Sequence, residues 1–318
     1  GLPNSSLSQA RRVEVYTWKE KDKIFHNYLD FDEVQEQRLE KVYEATESKI
    51  PKELEKYISQ EFQNSGTIVY WKKCDRIDVS RGETLFRHME DQLCRTFRHY
   101  LDDDDTYGER INLSYEINDK DFQKSFLPND PLYLMTPSNC PNFENEASNV
   151  LINDEEIEVP YLDQEGLPKT SKIGVKFSVA KPETQRNFGS NSPTGKHYGK
   201  NTGISVVRKA REIDFGNWGF FDGNEYRERW WGAEIRFEPE LDELFGLTNN
   251  KQNTRRFYFE DDAINKEKFG EEDYDERLKT DLSLQMRRLI SQWFSRHHKE
   301  HIKIIKNRGK GTGTVRGD

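Results

Sequence analysis

Residues 228–253 constrain the fold of this chain more than any other segment. Apolar side chains fall on every second position there, at Trp231, Ala233, Ile235 and Phe237. This period of two is typical of a half-buried strand, and Pro239 ends it because proline cannot donate to a sheet ladder. The following loop places Lys251 among small polar residues. A compact ammonium group held in this way suits the outer phosphates of a nucleotide, although a solvated turn has the same composition.

The composition indicates a folded chain with a large polar surface. Of its 318 residues 33% are hydrophobic and 34% are charged, and 6 Trp, 14 Tyr and 19 Phe supply large apolar groups. This length allows more than one domain, and the aromatic content argues against disorder. The net charge of −9 is unevenly distributed, because residues 287–318 carry nine Lys or Arg and two acidic residues.

The cysteines and the apolar runs indicate the setting of the chain. Cys74, Cys94 and Cys140 are odd in number and lack metal-ligand spacing, which predicts buried thiols in a reducing, cytoplasmic environment. No apolar run approaches the ~20 residues that a membrane helix needs, and no signal peptide is recognisable. The chain opens without Met and within a motif, so we expect a fragment of a longer protein.

Hydrophobic patterns predict an α+β fold. Residues 1–6 read as a loop that feeds a short helix, with Ser5 or Ser6 as its N-cap. Amphipathic helices are predicted over residues 81–101 and 275–306, and Pro51 is expected at the first position of another helix. Strands are predicted at residues 13–18, 24–29, 66–71, 111–117, 173–179, 204–207, 212–215 and 231–237. We expect short strands on long loops in residues 118–172, a mobile polar loop in 181–201 and a flexible tail in 309–318.

Neither of the other motif-like segments predicts a catalytic site. Residues 195–201, G-K-H-Y-G-K-N, are one residue short of a phosphate-binding loop, and Asn201 replaces its metal-binding hydroxyl. Residues 297–301, H-H-K-E-H, match a zinc-peptidase pattern. That pattern needs a further ligand downstream, where Asp318 is the remaining carboxylate, and it lies in a basic segment. We therefore assign no metal ligands to this chain.

Three separated stretches resemble the GHKL ATPases, which share the Bergerat nucleotide-binding fold. Residues 1–13, G-L-P-N-S-S-L-S-Q-A-R-R-V, are similar to the lid motif of the MORC-like, prokaryotic branch. Gly66-Thr67 resembles the Gly-Thr pair that closes that fold. Residues 248–252, T-N-N-K-Q, resemble the T-H-N-K-Q signature of the MORC transducer domain, with Asn249 in place of the histidine.

The resemblance implies a set of nucleotide-binding residues. The lid would contribute Gly1, Leu2, Pro3, Asn4, Ser5 and Ser6. Gly66 and Thr67 would belong to the adenine end of the site, and Asn250 would also contact the nucleotide. Lys251 and Gln252 are the implied catalytic residues, with the lysine reaching the γ-phosphate, where it would stabilise developing charge.

The resemblance also implies the domain organisation. Residues 1–78 would be the C-terminal part of a Bergerat α/β sandwich, and residues 79–270 a transducer domain of the ribosomal-protein-like β-α-β type. Residues 271–318 would form a C-terminal helix and basic tail. ATP and Mg²⁺ are the implied cofactors, and the family's catalytic Glu, its magnesium-binding Asn and its Asp-x-Gly-x-Gly motif would precede Gly1. The segment alone would then be inactive.

The function implied is an ATP-gated molecular clamp that forms a homodimer through its ATPase domain and acts on DNA. Two alternatives remain at this point. One is a non-catalytic module that binds nucleic acid or protein through the basic C-terminal helix. The other is a chaperone-like clamp on the same scaffold, as in the ninety-kilodalton heat-shock proteins, which handles a protein client.

Overall fold

The computed structural model describes residues 2–20, 23–36, 41–58, 64–117, 123–247 and 254–308. The chain divides into two compact units, residues 1–85 and 86–318. Each unit combines a β-sheet with helices, which confirms the predicted α+β class. The predicted tail, residues 309–318, lies outside the described residues.

The first unit is built on an antiparallel sheet whose described strands run in the order β3-β2-β1-β4. Its elements are α1 Leu2–Leu7, β1 Arg12–Trp18, β2 Ile24–Asp30, α2 Phe31–Gln35, β3 Thr46–Ser48, α3 Lys52–Glu55 and β4 Gly66–Lys72. The predicted hairpin of residues 13–18 and 24–29 is confirmed, as is the strand at 66–71. Tyr16 and Trp18 pack on Ile50 and Leu54 to form the core on one face of this sheet.

Two helix starts in this unit differ from prediction. Helix α1 begins at Leu2, so Ser5 and Ser6 lie inside it and neither is the N-cap. Pro51 is the N-cap residue of α3 and therefore precedes the expected first helical position by one residue. Both differences are shifts of helix boundaries, which local sequence specifies poorly.

The second unit contains a sheet whose described strands run in the order β10-β9-β11-β8-β7, with a parallel β9–β11 pair and otherwise antiparallel pairs. A small β5–β6 hairpin accompanies it. The elements from residue 82 onward are α4 Gly82–Thr96, α5 Arg98–Leu101, β5 Ser114–Glu116, β6 Gln123–Ser125, β7 Asn149–Leu162, β8 Pro168–Ala180, α6 Pro182–Asn187, α7 Pro193–Lys200, β9 Ile204–Arg208, β10 Arg211–Gly216, β11 Trp231–Phe237, α8 Asp262–Phe269, α9 Glu271–Thr280 and α10 Leu282–Arg308.

Strand β11 lies in the middle of this sheet and is covered on both faces. On one face Trp231 packs in the same aromatic cluster as Phe177 of β8 and Phe294 of α10. On the other face Glu234 is 1% exposed and contacts Arg98 and His99 of α5. The expectation of a half-buried strand was therefore wrong, because the alternating polar residues face a second layer of protein.

Several predictions for the second unit need correction. Residues 118–172 were expected to carry short strands, yet β7 and β8 form a hairpin of 14 and 13 residues. The expected loop at 181–201 contains helices α6 and α7, each with a proline in its first turn. The strand predicted at 111–117 is limited to Ser114–Glu116. The predicted terminal helix is divided at Asp281, whose carboxylate accepts a 2.9 Å hydrogen bond from the Leu284 amide and begins α10.

Two further expectations concern the burial of the cysteines and the polarity of the helices. Cys94 and Cys140 are buried, whereas Cys74 is exposed, so the expectation of buried thiols was wrong for Cys74. Burial raises the pKa of the Cys94 and Cys140 thiols to about 12. Within the described ranges, the helices are too short or too polar to cross a membrane.

Candidate functional site

Helix α1, which carries most of the predicted lid residues, is attached to strand β4. Ser6 is fully buried, and its hydroxyl accepts a 3.0 Å hydrogen bond from the Trp71 indole nitrogen. The Ser5 hydroxyl donates a 3.1 Å bond to the Leu2 carbonyl within the helix. Leu2, Pro3 and Asn4 are exposed, and Gly1 lies outside the described residues. The segment is therefore a helix held against the sheet.

Gly66 and Thr67 begin strand β4 at its other end. A Cβ on Gly66 would lie 2.5 Å from Cζ2 of Trp18, so glycine is needed here for packing against this indole. Thr67 is exposed, and its hydroxyl lies 2.9 Å from the hydroxyl of Thr17 on β1. This pair of hydroxyls is accessible at the surface of the sheet. Packing against Trp18 thus explains the glycine at position 66, and Thr67 supplies the exposed hydroxyl.

Thr67 and Trp71 lie on the same face of β4, because side chains alternate along a strand. The exposed positions of this strand are Thr67, Val69 and Trp71. Four residues at about 3.3 Å each place the Thr67 and Trp71 Cα atoms about 13 Å apart. Helix α1 reaches this face through the contact between Ser6 and Trp71. The first unit therefore places two of the predicted nucleotide-binding segments on one sheet face, separated along the strand.

The third predicted segment is flanked by two paired residues of the second unit. Asn250, Lys251 and Gln252 lie outside the described residues, but Leu247 and Thr254 pair as an antiparallel bridge on either side of them. The amide and hydroxyl of Thr254 each donate a 2.8 Å hydrogen bond to the Asp214 carboxylate. Leu247 and Thr254 are thus paired with each other, and Thr254 is anchored to β10.

A cleft lies beside these two paired residues. Its volume is about 650 Å³, and its lining includes Arg255, Arg256, Arg277 and Arg287 together with Tyr258. We refer to it as the arginine cleft. Sequence reasoning missed it because its residues come from five separate segments of the chain. The signal that was available is the Arg255-Arg256 pair, which follows directly after the loop that contains Lys251.

A buried ionic network occupies the face of the second sheet that contacts α5. The Arg98 guanidinium, which is 0% exposed, donates hydrogen bonds of 3.0 Å to Glu212 and 2.5 Å to Glu234. His99 bonds to Asp105 through Nδ1 and lies 3.0 Å from Glu234 through Nε2. This network was not anticipated, because Glu234 was expected to face solvent.

Electrostatics in this network favour the charged forms of its members. Desolvation would raise the pKa of the Glu234 carboxyl, but the charges of His99 and Arg98 outweigh it and hold that pKa well below its usual range. Desolvation opposes protonation of His99, whereas Glu234 and Asp105 favour it and raise its pKa overall. Arg98 Nε and Glu234 Oε1 are buried without a hydrogen-bond partner, but the opposite charges of the network pair with one another, so the arrangement is that of a structural ion network.

The motif-like segments have structural roles. His298 Nε2 lies 2.7 Å from Glu228, and the His297 ring stacks on Phe177. The buried imidazole of His197 lies 3.1 Å from the hydroxyl of Tyr133. In the part of the chain that the structure describes, no group of three or more His, Cys, Asp or Glu side chains is arranged to hold a metal ion.

Comparisons with known proteins assign no family to the chain. No protein-family model matches it, and no curated protein does. Among solved structures, it is similar to the ATP-binding domain of topoisomerase IV from Francisella tularensis, with 9% identity, coverage of 98% of this chain and 71% of that chain, and a TM-score of 0.32. It is also similar to the B subunit of DNA gyrase from Myxococcus xanthus, with 7% identity, coverage of 88% and 70%, and a TM-score of 0.34. TM-scores below 0.5 do not establish a shared fold.

Proposed function

We propose that this chain is the nucleotide-gated part of a GHKL-type ATPase that works as a molecular clamp on DNA. In this proposal the lid residues of helix α1 face the phosphates of ATP and Thr67 lies at its adenine end. Lys251, supported by Gln252, contacts the γ-phosphate and reports the state of the nucleotide to the second unit. Only ATP offers that contact, so binding energy would be coupled to domain position.

The observation that carries this proposal is the arrangement of the two segments along β4. Helix α1 contacts Trp71, and the exposed Thr67 hydroxyl lies on the same face. The separation of about 13 Å along the strand is comparable with the length of an extended nucleoside triphosphate between its base and its outer phosphate. The surface between them carries Val69, which is 42% exposed and suits contact with a ligand's apolar face.

The paired residues that flank residues 248–253 support the role of Lys251. A lysine acts as a point charge toward phosphate and gains from a defined starting position. The bridge between Leu247 and Thr254, the described residues that flank this segment, is consistent with such a role. The proposal includes Mg²⁺, which the resemblance implies, and dimerisation through the ATPase domain, and it assigns none of the residues of this chain to the metal.

Nucleotide binding by the 318-residue chain provides the first test. We expect calorimetry to detect binding of a non-hydrolysable ATP analogue to the chain. Thr67→Val should weaken this binding about tenfold, because a hydrogen bond to the ligand is lost without a change in the shape of the side chain. Thr46→Val, at another exposed strand position, is the matched control. Equal affinity in the wild type and the Thr67 variant would remove Thr67 from the site.

Turnover in the intact protein tests Lys251. Lys251→Ala is expected to reduce ATP hydrolysis strongly and to leave ADP binding nearly unchanged, because ADP lacks the γ-phosphate. Lys196→Ala, an exposed lysine of α7, is the control. Unchanged turnover would exclude Lys251 from the mechanism. Magnesium-dependent hydrolysis by the 318-residue chain alone would contradict the expectation that this segment is inactive by itself.

A second candidate function, nucleic-acid binding, is supported by the exposed face of α10. Arg296, Lys299 and Lys303 are exposed and recur at helical spacing. Such a row of cations matches the phosphates of a nucleic acid. Deletion of this end is unsuitable as a test, since Ile302 and Ile305 are buried in the core and would be lost with it.

Substitution of the three exposed cations by alanine is the sharper experiment. We expect weaker DNA binding and a salt-dependence slope reduced by about 2.7, which corresponds to three lost phosphate contacts. The control replaces Lys19, Lys23 and Lys49, which are exposed in the first unit. DNA affinity that does not respond to salt would exclude this candidate.

A further inference from the structure

The arginine cleft lies entirely within residues 86–318 and has the features of a binding site of its own. Its walls are formed by the end of β7, the turns after β11, residues 255–258, the end of α9 and the start of α10. Its volume of about 650 Å³ is in the range that small-molecule sites occupy, about 300–1,000 Å³.

The cations of the cleft lack acidic partners at contact distance. Arg255, Arg256 and Arg277 are exposed, and among the described residues none of them forms an ion pair. Arg287 differs, because it is 5% exposed and bonds Glu260 at 2.7 Å. Like charges that converge without counter-charges repel one another, and a bound anion relieves that repulsion. Arginine forks match the geometry of phosphate oxygens.

Three carboxylates line the cleft together with these arginines. Asp281 caps α10 through its bond to the Leu284 amide, where it complements the helix dipole. Glu240 accepts a 2.9 Å hydrogen bond from the Ser171 hydroxyl. Glu243 also lines the cleft, and its backbone carbonyl lies 3.5 Å from the Arg256 guanidinium. A ligand that carries both phosphates and hydroxyl donors fits a cleft with both kinds of group, because carboxylates accept bonds from ribose hydroxyls in nucleotide sites.

An aromatic surface completes the arrangement. Tyr258 lines the cleft and is 46% exposed, and its ring lies 4.2 Å from the Arg287 guanidinium carbon. A tyrosine face with a guanidinium on it offers a stacking platform for a base. We propose that the arginine cleft binds a nucleoside phosphate, with its phosphates on Arg255, Arg256 and Arg277 and its base against Tyr258.

This assignment goes beyond the proposed function. The lid residues and Thr67 belong to residues 1–85, whereas every lining residue of the cleft belongs to residues 86–318. The cleft therefore constitutes an additional nucleotide site, and an occupant there would contact Arg255 and Arg256, which follow the loop that carries Lys251.

Photolabelling of the 318-residue chain with 8-azido-ATP, followed by peptide mapping, tests the cleft directly. We expect label on the peptide that contains Tyr258 and competition by ATP and by inorganic tripolyphosphate. The double variant Arg255→Ala/Arg277→Ala should reduce that label at least about tenfold, since two charge-assisted contacts are lost. The control Arg110→Ala/Arg186→Ala removes exposed arginines elsewhere in the second unit.

The outcomes separate this inference from the proposed function. Label confined to peptides of residues 2–20 and 64–72 overturns the cleft assignment and supports the lid site. Label confined to the Tyr258 peptide supports the cleft assignment and overturns the lid site. Protection by a single-stranded oligonucleotide but not by ATP overturns the small-molecule assignment. Equal labelling of the two double variants also overturns it. Partial recovery with Arg277→Lys, which keeps the charge but not the fork, supports it, and calorimetric unfolding verifies that each variant is folded.

Discussion

The indole nitrogen of Trp71 donates a 3.0 Å hydrogen bond to the hydroxyl of Ser6 and so joins two residues that are 65 positions apart. This contact fixes helix α1 on the sheet at one end of β4. Ser6 is fully buried, while Trp71 is 38% exposed. In the proposed lid function α1 must release and re-form this attachment, together with the hydrogen bond that the Arg76 guanidinium donates to the Leu7 carbonyl.

Ser6→Ala is expected to loosen α1 without unfolding the first unit. The lost hydrogen bond costs about 1 kcal/mol, because the half-exposed Trp71 indole can bond to water instead. Hydrogen exchange of the amides in residues 4–10 should become about fivefold faster. Ser8→Ala is the control, since Ser8 is exposed and its hydroxyl bonds only locally, to the Ser5 carbonyl at 2.7 Å. Equal protection in the two variants would contradict the anchoring role.

Gly66→Ala is expected to destabilise the first unit by about 1–3 kcal/mol, the usual cost of overpacking. The added Cβ would lie 2.5 Å from the Trp18 ring, which must then move. Urea unfolding measures the change, with Gly189→Ala as the control, because no atom lies within 4 Å of a Cβ there.

A double variant distinguishes packing from ligand approach at Gly66. If packing is the reason for glycine, Trp18→Leu/Gly66→Ala should lose less stability than the sum of the single variants. Strict additivity of the two losses would show that the indole does not require the glycine. Nucleotide affinity, measured in parallel on folded variants, reports any separate role of this position at the ligand.

The strands that sequence predicted correctly are those with local signals. Residues 13–18 and 66–71 are rich in β-branched and aromatic side chains, which specify strands without reference to distant partners. The strand predicted at 173–179 is part of β8, whereas its partner β7 was missed because Pro160 and a run of acidic residues are typical of loops as well as of protected edge strands. Helix α7 was missed although Ser192 and Pro193 form a recognisable start, with Ser192 accepting a 2.9 Å bond from the Gly195 amide.

The candidate site was predictable only as segments. The motifs at residues 1–6 and 66–67 identified parts of the chain, but their placement on one face of β4 depends on the pairing of β1 with β4. The contact between Arg98 and Glu234 joins residues 136 positions apart, and no local pattern encodes it. Glu234 was expected at the surface because alternation alone does not reveal whether the second face of a sheet is covered.

Arg98→Met is expected to destabilise the second unit by about 3–5 kcal/mol. It removes the cation that Glu212 and Glu234 share and leaves these buried carboxylates incompletely paired, and unpaired buried charges are costly. Chemical denaturation measures the loss. Arg110→Met, at an exposed position paired with Asp103, should cost less than about 1 kcal/mol. Similar losses in the two variants would mean that the network contributes little to stability.

His99 is expected to make the stability of the second unit depend on pH. Its folded pKa is raised above 6.5 because Glu234 and Asp105 outweigh the opposing effect of desolvation. A raised histidine pKa contributes stability that is fully present below about 6.5, the unfolded value, and is lost as the pH rises through the folded pKa. Wild-type stability should therefore fall on the alkaline side of 6.5 by at most about 1.4 kcal/mol per pH unit for this one proton.

The Glu234 carboxyl, whose pKa is depressed below 4.5, contributes stability that is lost only at lower pH, as the pH falls through the folded pKa, so the two dependences are separable. His99→Gln should remove the alkaline dependence and also weaken the acidic one, because the charge of His99 helps to hold the pKa of Glu234 down. His88→Gln, which changes an exposed histidine of α4, should leave both unchanged. Stability measured by denaturation between pH 3 and 9 compares the three proteins. A fall in stability at alkaline pH that persists in His99→Gln would show that a group other than His99 titrates there. The prediction depends on the charge of His99, which links Glu234 to Asp105.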